Sequence, residues 1–346
     1  MGKRPVVVID IGRFNTKICV FQNLGQKYVL QNGAIFDTPN DSMSDEFFQR
    51  CDIFLSKLNV NGCDLYTIFS ETEDNYTIET EFPTGNNKEI EKMVKDRYQA
   101  LSKNGAADSY FSWQTVGMPE STGQTRIMIA YAKKFHIDKM ASLAEKYKMT
   151  YVKADLSSTA IDGMARALQK TQSIATSAPN VMYSLLDIGS HSANLVLFNQ
   201  NSVFKIVNIK HTLFKLDDAC TGTMSTLMYD KSLNKEQVKM IPELVTQVNQ
   251  YDLSVRPFVT NVIKEIITAT GNGKKFVNGP LFVSGGLGKL PYVAQKIAND
   301  IGAQYYDFPI REFVDIADNC IYRSNKKIYP CDEVFATALG TVIGGV

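Results

Sequence analysis

The 346-residue sequence predicts a mixed α/β fold built from two related domains. Its length exceeds the roughly 100–200 residues of a single domain. A strand, an Asp-Ile-Gly turn and a second strand occur twice, at Asp10 and again at Asp187. Short β-branched runs also alternate with stretches whose apolar residues recur at helical spacing. Because an internal repeat implies units built on one plan, we expect each domain to open with a tight hairpin.

The strands of each copy are predicted from runs of β-branched and other apolar residues on both sides of the turn. They are Val6–Ile9 and Thr16–Phe21 in the first copy, and Tyr183–Leu186 and Ala193–Phe198 in the second.

The region between the copies predicts further α/β structure. Asn87 is placed to cap a helix with apolar residues at helical spacing, and Tyr110–Val116 and Ile127–Ala132 are predicted strands. The small, polar stretch Thr171–Asn180 is typical of a crossing between domains. Asp332–Val346 predicts a C-terminal helix of small residues.

Composition excludes several classes of function. The net charge is +1, so neither direct nucleic-acid binding nor a bulk attraction to anionic lipid is expected. The six cysteines form no C-x-x-C pair and the three histidines are far apart, which argues against zinc. No apolar run approaches the ~20 residues that span a bilayer, and no signal peptide is recognised, so membrane insertion is not expected. The expected location is the cytoplasm.

The first hairpin offers groups that suit a phosphate. Gly12 lets backbone N–H groups approach an anion, since it has no Cβ. Asp10 can hold Mg²⁺ through water, and Lys17 can place its ammonium on a terminal phosphate. An ordinary hairpin with a surface lysine is the alternative. The second copy supplies a matching turn, so two facing hairpins would hold a polyphosphate from both sides.

Two further segments, both in the second half of the sequence, carry a recognisable pattern. The glycine cluster Ser284–Gly288 follows a strand and would let a purine or ribose lie against backbone. Glu236 and Lys239 share a helix face at i, i+3. Taken alone, the first is also typical of a tight strand–helix connection, and the second is more typical of a solvated charged turn.

In this order, the segments resemble those of the actin, sugar-kinase and chaperone-ATPase superfamily. Asp10–Lys17 resembles its first phosphate loop, Asp187–Asn194 the second and Ser284–Leu290 the adenosine motif. Phe335–Gly340 resembles the second connecting helix. The resemblance implies an actin-like (ribonuclease H-like) fold, in which two related α/β domains flank a nucleotide cleft.

The resemblance also implies ATP and Mg²⁺ as ligands, with Asp10 and Asp187 as metal-binding and catalytic residues and Asp155 as a third catalytic candidate. Hydrolytic members carry glutamine or glutamate in the first connecting segment, where this chain has Ser157 and Ser158. Since a serine is no base near neutral pH, slow ATP hydrolysis is expected. The nucleotide contacts implied are Gly12, Asn15, Thr16, Lys17, Gly189, Ser190, His191, Ser192, Glu236, Lys239, Gly285, Gly286 and Leu287.

The middle region is similar to that of the bacterial actin-like proteins PilM and FtsA, which carry an inserted subdomain (1C), and more distantly the chain resembles ParM. This resemblance divides the sequence into three parts. They are domain IA at 1–33, 151–178 and 331–346; the inserted subdomain at 34–150; and domain II at 179–330, with 205–280 forming IIB.

Three functions fit these features. The one favoured by the sequence is a slow ATPase whose nucleotide state controls self-assembly into cytoskeletal filaments, so other copies of the chain are the expected partners. The alternative is a PilM-type platform for type IV pilus assembly, which binds an adaptor or a peptide of a membrane protein. A small-molecule kinase is disfavoured, because no aspartate is placed to activate a sugar hydroxyl.

Overall fold

The computed structural model describes residues 4–13, 15–25, 27–39, 41–102, 108–116, 123–179, 181–189, 192–210, 256–268, 279–286, 293–317, 322–323 and 335–344. Within these residues the chain forms three β-sheets with helices packed on their faces.

The first sheet contains seven of the described strands. They are β1 (Val6–Ile11), β2 (Asn15–Asn23), β3 (Tyr28–Asp37), β4 (Asp64–Phe69), β8 (Thr150–Leu156), β14 (Val314–Ile316) and β15 (Tyr322–Arg323). The order is β14-β3-β2-β1-β4-β8, with β15 also on β3. β1 pairs antiparallel with β2 and parallel with β4, so the first turn lies at the middle of the sheet.

The second sheet repeats this arrangement. Its strands are β9 (Tyr183–Ile188), β10 (Ser192–Phe198), β11 (Val203–Lys210), β12 (Pro280–Ser284) and β13 (Gln304–Asp307). The order is β11-β10-β9-β12-β13, and β9 pairs antiparallel with β10 and parallel with β12. The predicted pair of related hairpins is therefore confirmed.

The third sheet forms a separate unit, inserted in sequence between β4 and β8 of the first sheet. It consists of β5 (Asn75–Pro83), β7 (Gln124–Lys133) and β6 (Ser109–Thr115) in that order, covered by helix α2 (Asn87–Ser102). Val94 and Tyr131 are in the core between them. The cap of α2 is Asn86 instead of the predicted Asn87, since the Asn86 side chain accepts from the N–H groups of Lys88 and Glu89.

The inserted unit is shorter than the predicted 34–150. β4 lies in the first sheet, and helices α1 (Asp45–Leu55) and α3 (Lys134–Lys146) pack on the outer face of that sheet. The predicted domain II, 179–330, likewise gives β14 and β15 to the first sheet, where both pair with β3. On the second sheet, helices α6 (256–268) and α7 (Val293–Ile301) pack on the outer face.

Two helices, α4 (Ser157–Gln169) and α8 (Ala336–Ile343), lie between the first and second sheets. The short helix α5 (Gln172–Ala175) follows α4 in the predicted crossing. One hydrophobic core joins both sheets to the two central helices. α4 and α8 cross so closely that a Cβ at Gly340 would lie 2.2 Å from the carbonyl oxygen of Ala160, and a Cβ at Gly163 2.4 Å from that of Gly340. Glycine is therefore required on both helices.

Candidate functional site

The first turn holds a buried ion pair. Asp10, near the end of β1, lies directly opposite Lys17 on β2, and Lys17 Nζ lies 2.7 Å from Asp10 Oδ2. Burial alone would lower the pKa of Lys17, but the carboxylates of Asp10 and Asp187 raise it above its ordinary value. The ammonium therefore stays charged although it is largely buried.

Asp187 occupies the matching position in the second sheet, near the end of β9. It is buried, and it accepts hydrogen bonds from Ser284 Oγ at 2.8 Å and Thr337 Oγ1 at 3.3 Å. Burial raises the pKa of Asp187, and the nearby Lys17 opposes that effect. Since Lys17 acts on both aspartates, the structure brings Asp10, Lys17 and Asp187 together from two different sheets.

Both turns have the same backbone geometry. Gly12 N–H donates to the carbonyl of Asn15 at 3.1 Å, and Gly189 N–H donates to that of Ser192 at 3.0 Å. A Cβ at Gly12 would lie 2.5 Å from the Asn15 oxygen, and one at Gly189 would lie 3.1 Å from the Ser192 oxygen. Each turn thus forms a tight loop whose inner side only glycine fits without a shift.

Two predicted nucleotide contacts support the first turn instead of facing open space. Thr16 Oγ1 lies 2.8 Å from Thr38 Oγ1, and Thr38 Oγ1 lies 2.7 Å from the carbonyl of Gly12, to which it can donate. Asn15 Nδ2 donates to Asp37 Oδ1 at 3.2 Å. These bonds fix the loop that leads from β1 to β2.

The glycine cluster lies against the second turn. Gly285 has φ +84°, and a Cβ there would lie 2.5 Å from the carbonyl oxygen of Ile188. Gly286 has open space where a side chain would project. The remaining predicted contacts, Ser190, His191, Glu236, Lys239 and Leu287, lie outside the described residues.

Asp155 lies apart from the Asp10–Lys17–Asp187 group. It is level with Asp10 in the first sheet but two strands away, on β8, which is a separation of about 10 Å. Lys153 Nζ lies 2.8 Å from its Oδ2, Thr159 Oγ1 donates to Oδ1 at 3.2 Å, and Thr341 Oγ1 on α8 also donates to Oδ2. Its carboxylate is thus engaged by residues of the central helices and of β8.

A groove that sequence reasoning missed lies beside Asp155. This cavity of about 420 Å³ is lined by consecutive residues of β6, 110–114, and of β8, 152–156. Because residues on one face of a strand alternate, lining by consecutive residues means that the cavity meets the edge of each strand. Among the described strands, β6 pairs only with β7 and β8 only with β4, so both edges are open.

Asp162 on α4 lines the same groove and is 2% exposed. Its Oδ2 accepts from Arg166 Nε at 2.9 Å and Gln114 Nε2 at 3.2 Å, whereas its Oδ1 is buried and has no hydrogen-bond partner among the described residues. Burial raises the pKa of Asp162 against the effect of Arg166. The signal in the sequence is an acidic residue among the small apolar residues of this helix.

The residues around the two turns fit ATP and Mg²⁺. Carboxylate oxygens are ligands that Mg²⁺ prefers, and it commonly uses one or two carboxylates together with phosphate oxygens and water. Asp10 and Asp187 provide two carboxylates, and Lys17 provides positive charge. Across the described residues no cluster of three or more His, Cys, Asp or Glu is found, so the metal would need the phosphates as further ligands.

No described helix is long and apolar enough to cross a bilayer.

In the comparisons with known proteins, this chain is similar to solved structures. No family model matches the sequence, and no curated protein matches it. A structure of the PilM–PilN type IV pilus biogenesis complex matches with 15% identity and a TM-score of 0.68, covering 98% of each chain.

Two other structures match over most of their length at TM-scores below 0.5. A Bacteroides thetaiotaomicron protein with an actin-like ATPase fold has 8% identity and a TM-score of 0.44, covering 89% of this chain and 91% of that one. MreB 5 of Spiroplasma citri bound to AMPPNP has 10% identity and a TM-score of 0.47, covering 99% and 96%. The likeness to the PilM–PilN structure, over 98% of each chain, supports the conclusion that this chain has the actin-like fold.

Proposed function

We propose that the protein binds ATP and Mg²⁺ between its two hairpins and holds an extended peptide of a partner protein in the groove. The observation that carries the second part is the groove itself, which is lined by two open strand edges and by Asp162, whose buried Oδ1 has no hydrogen-bond partner within the described part of the chain. The protein is then a nucleotide-binding platform.

The proposed nucleotide site is based on three charged residues, Asp10, Lys17 and Asp187. Asp10 and Asp187 would hold the hydrated metal, and Lys17 would contact the outer phosphates. When bound, Mg²⁺ would neutralise phosphate charge. Asp155 is engaged by Lys153, Thr159 and Thr341 and lies about 10 Å from Asp10, so its carboxylate is poorly placed to orient an attacking water. Slow hydrolysis remains the expectation.

The groove suits an extended segment. An added strand can pair with an exposed sheet edge through its main chain, while side chains enter pockets along the edge. Asp162 Oδ1 would accept an N–H group of that segment, because a buried carboxylate oxygen without a partner is costly. Tyr110 and Val152, each 49% exposed, offer apolar surface at the groove for its side chains.

The likeness to PilM is consistent with this proposal, since that structure is a complex with a second protein, PilN. Self-assembly into filaments, which the sequence favours, stays a prediction. The two functions differ in what they require of the groove. A peptide platform needs Asp162 and the open edges of β6 and β8, whereas filaments require contacts between copies of the chain.

A displayed library of random 12-residue peptides tests the platform. We expect the wild-type chain to select peptides that bind at least tenfold more weakly to Asp162→Asn, since this change alters a hydrogen-bonding group and a charge with little change in shape. Asp96→Asn, at an exposed position on α2, is the matched control and should bind like the wild type. Peptides that bind Asp162→Asn and Asp96→Asn equally would contradict the proposal. Light scattering with and without Mg²⁺–ATP separately tests for filaments.

A further inference from the structure

The groove carries two ion pairs in which the negative partner is buried and the positive partner is exposed. Arg166 Nε lies 2.9 Å from Asp162 Oδ2, and Lys153 Nζ lies 2.8 Å from Asp155 Oδ2. The side chains of Arg166 and Lys153 are 41% and 33% exposed, whereas the two aspartate side chains are 3% and 9% exposed. All four residues line the groove. A ligand that enters the groove therefore meets the two positive charges first, although the formal charges of the pairs cancel.

Arg166 keeps most of its hydrogen-bonding capacity for a ligand. A guanidinium has five N–H donors, and the bond to Asp162 uses the one on Nε. Among the described residues, no acceptor bonds to the four N–H groups on Nη1 and Nη2. These groups form the end of a planar fork, whose spacing matches the two oxygens of a carboxylate.

Asp162 orients this fork. It lies one helical turn before Arg166 on α4, so the two side chains share a face of the helix. Its Oδ2 also accepts from Gln114 Nε2 of β6 at 3.2 Å, so the carboxylate is held by two different elements. A donor that is ordered before its ligand arrives loses less entropy on binding. Arg166 is therefore better prepared to bind a carboxylate than an arginine that is free on the surface.

We infer that the groove selects peptides that carry a carboxylate, and that Arg166 is the residue that binds it. This inference rests on the proposed function and adds the chemistry that the peptide must have. The carboxylate belongs either to an Asp or Glu side chain or to the end of the peptide. In an extended peptide the side chains alternate between two faces, so an acidic side chain can reach Arg166 while the main chain pairs with a strand edge.

Synthetic versions of one peptide test the inference on the full chain. A peptide that the wild type selects from the displayed library is made in three forms. The first keeps its carboxylates, the second has Asn and Gln in place of Asp and Glu, and the third has only its terminal carboxylate converted to an amide. We expect one of the two replacements to weaken binding to the wild type at least tenfold, and that replacement identifies the source of the carboxylate. Equal affinity for all three forms would overturn the inference.

The Arg166→Gln variant completes a double-mutant cycle with these peptides. It should bind the intact peptide at least tenfold more weakly than the wild type does. It should bind the sensitive amide form about as well as the wild type does, which also shows that the variant is folded. If Arg166 had only a structural role, the variant would bind both forms more weakly by the same factor, and the inference would be wrong.

Arg97→Gln is the matched control. Arg97 is exposed on α2, away from the groove. α2 packs against Ile129 on one face of β7, whereas Met128 and Ala130 on the other face line the groove. This variant should therefore distinguish the three peptide forms as the wild type does. An equal loss of discrimination in Arg97→Gln would show that the effect is not specific to Arg166 and would overturn the inference.

Failure of the inference can be distinguished from failure of the proposed function. If the wild type selects no peptide, both are wrong. If it selects peptides that bind more weakly to Asp162→Asn but equally well to Arg166→Gln, the groove remains the peptide site and only the role of Arg166 is wrong.

Discussion

Replacing Gly340 with alanine should destabilise the protein by about 2 kcal/mol. The new Cβ would lie 2.2 Å from the carbonyl oxygen of Ala160, about 1.2 Å closer than ordinary contact begins. Overpacking of a core usually costs about 1–3 kcal/mol, and a backbone atom that cannot rotate away places this site at the upper end. The better helix propensity of alanine returns about 1 kcal/mol.

The melting temperature measures this cost. A loss of about 2 kcal/mol should lower it by roughly 3 °C in a protein of this size. Gly85→Ala is the control, since there the nearest atoms belong to the flexible side chain of Glu89, and its melting temperature should stay close to that of the wild type. If Gly340→Ala melted with the wild type, or if both variants fell equally, the close crossing of α4 and α8 would be wrong.

Two further predictions concern charged groups. Lys17→Ala should weaken ATP binding by tenfold or more and ADP binding by less, because a charge-assisted hydrogen bond to an outer phosphate contributes about 1.5–3 kcal/mol. Equal losses of affinity for ATP and ADP in calorimetry would count against that contact. His136 stacks on Phe69, and burial lowers its pKa below 6.5. Its neutral form therefore stabilises the fold fully above the unfolded pKa, and this stability is lost as pH falls through 6.5 towards the folded pKa. Between pH 7.5 and 5.5 the melting temperature of His136→Gln should fall less than that of the wild type. An equal fall in both proteins would refute the attribution of this pH dependence to His136.

The hairpins were predictable because their signal is local. Asp10, Gly12 and Lys17 lie within eight residues, as do the corresponding residues of the second copy, so each turn is visible in one short window of sequence. The order of these segments along the chain then indicated the fold, since the resemblance depended on several such windows together.

Features that depend on distant pairing were not predictable in the same way. β4 and β5 are both strands by composition, and only pairing places β4 beside β1 and β5 beside β7. For this reason the predicted inserted unit, 34–150, is longer than the one in the structure. Asp162 gains its role only because Gln114 and the edge of β8 lie beside it in space. Asn86 and Asn87 are both good caps, and one residue of register decides between them.

The central claim is that Asp10 and Asp187 hold a metal–nucleotide complex between the two sheets. Calorimetry of ATP with and without Mg²⁺, for the wild type and Asp10→Ala, tests it most directly. The fold should survive the change, since Lys17 keeps Asp187 as a charged neighbour. Asp315→Ala, at an exposed position on β14, is the control. Magnesium-dependent binding that is lost in Asp10→Ala and kept in Asp315→Ala is the predicted result. Wild-type affinity in Asp10→Ala, or no binding by the wild type, would contradict the account.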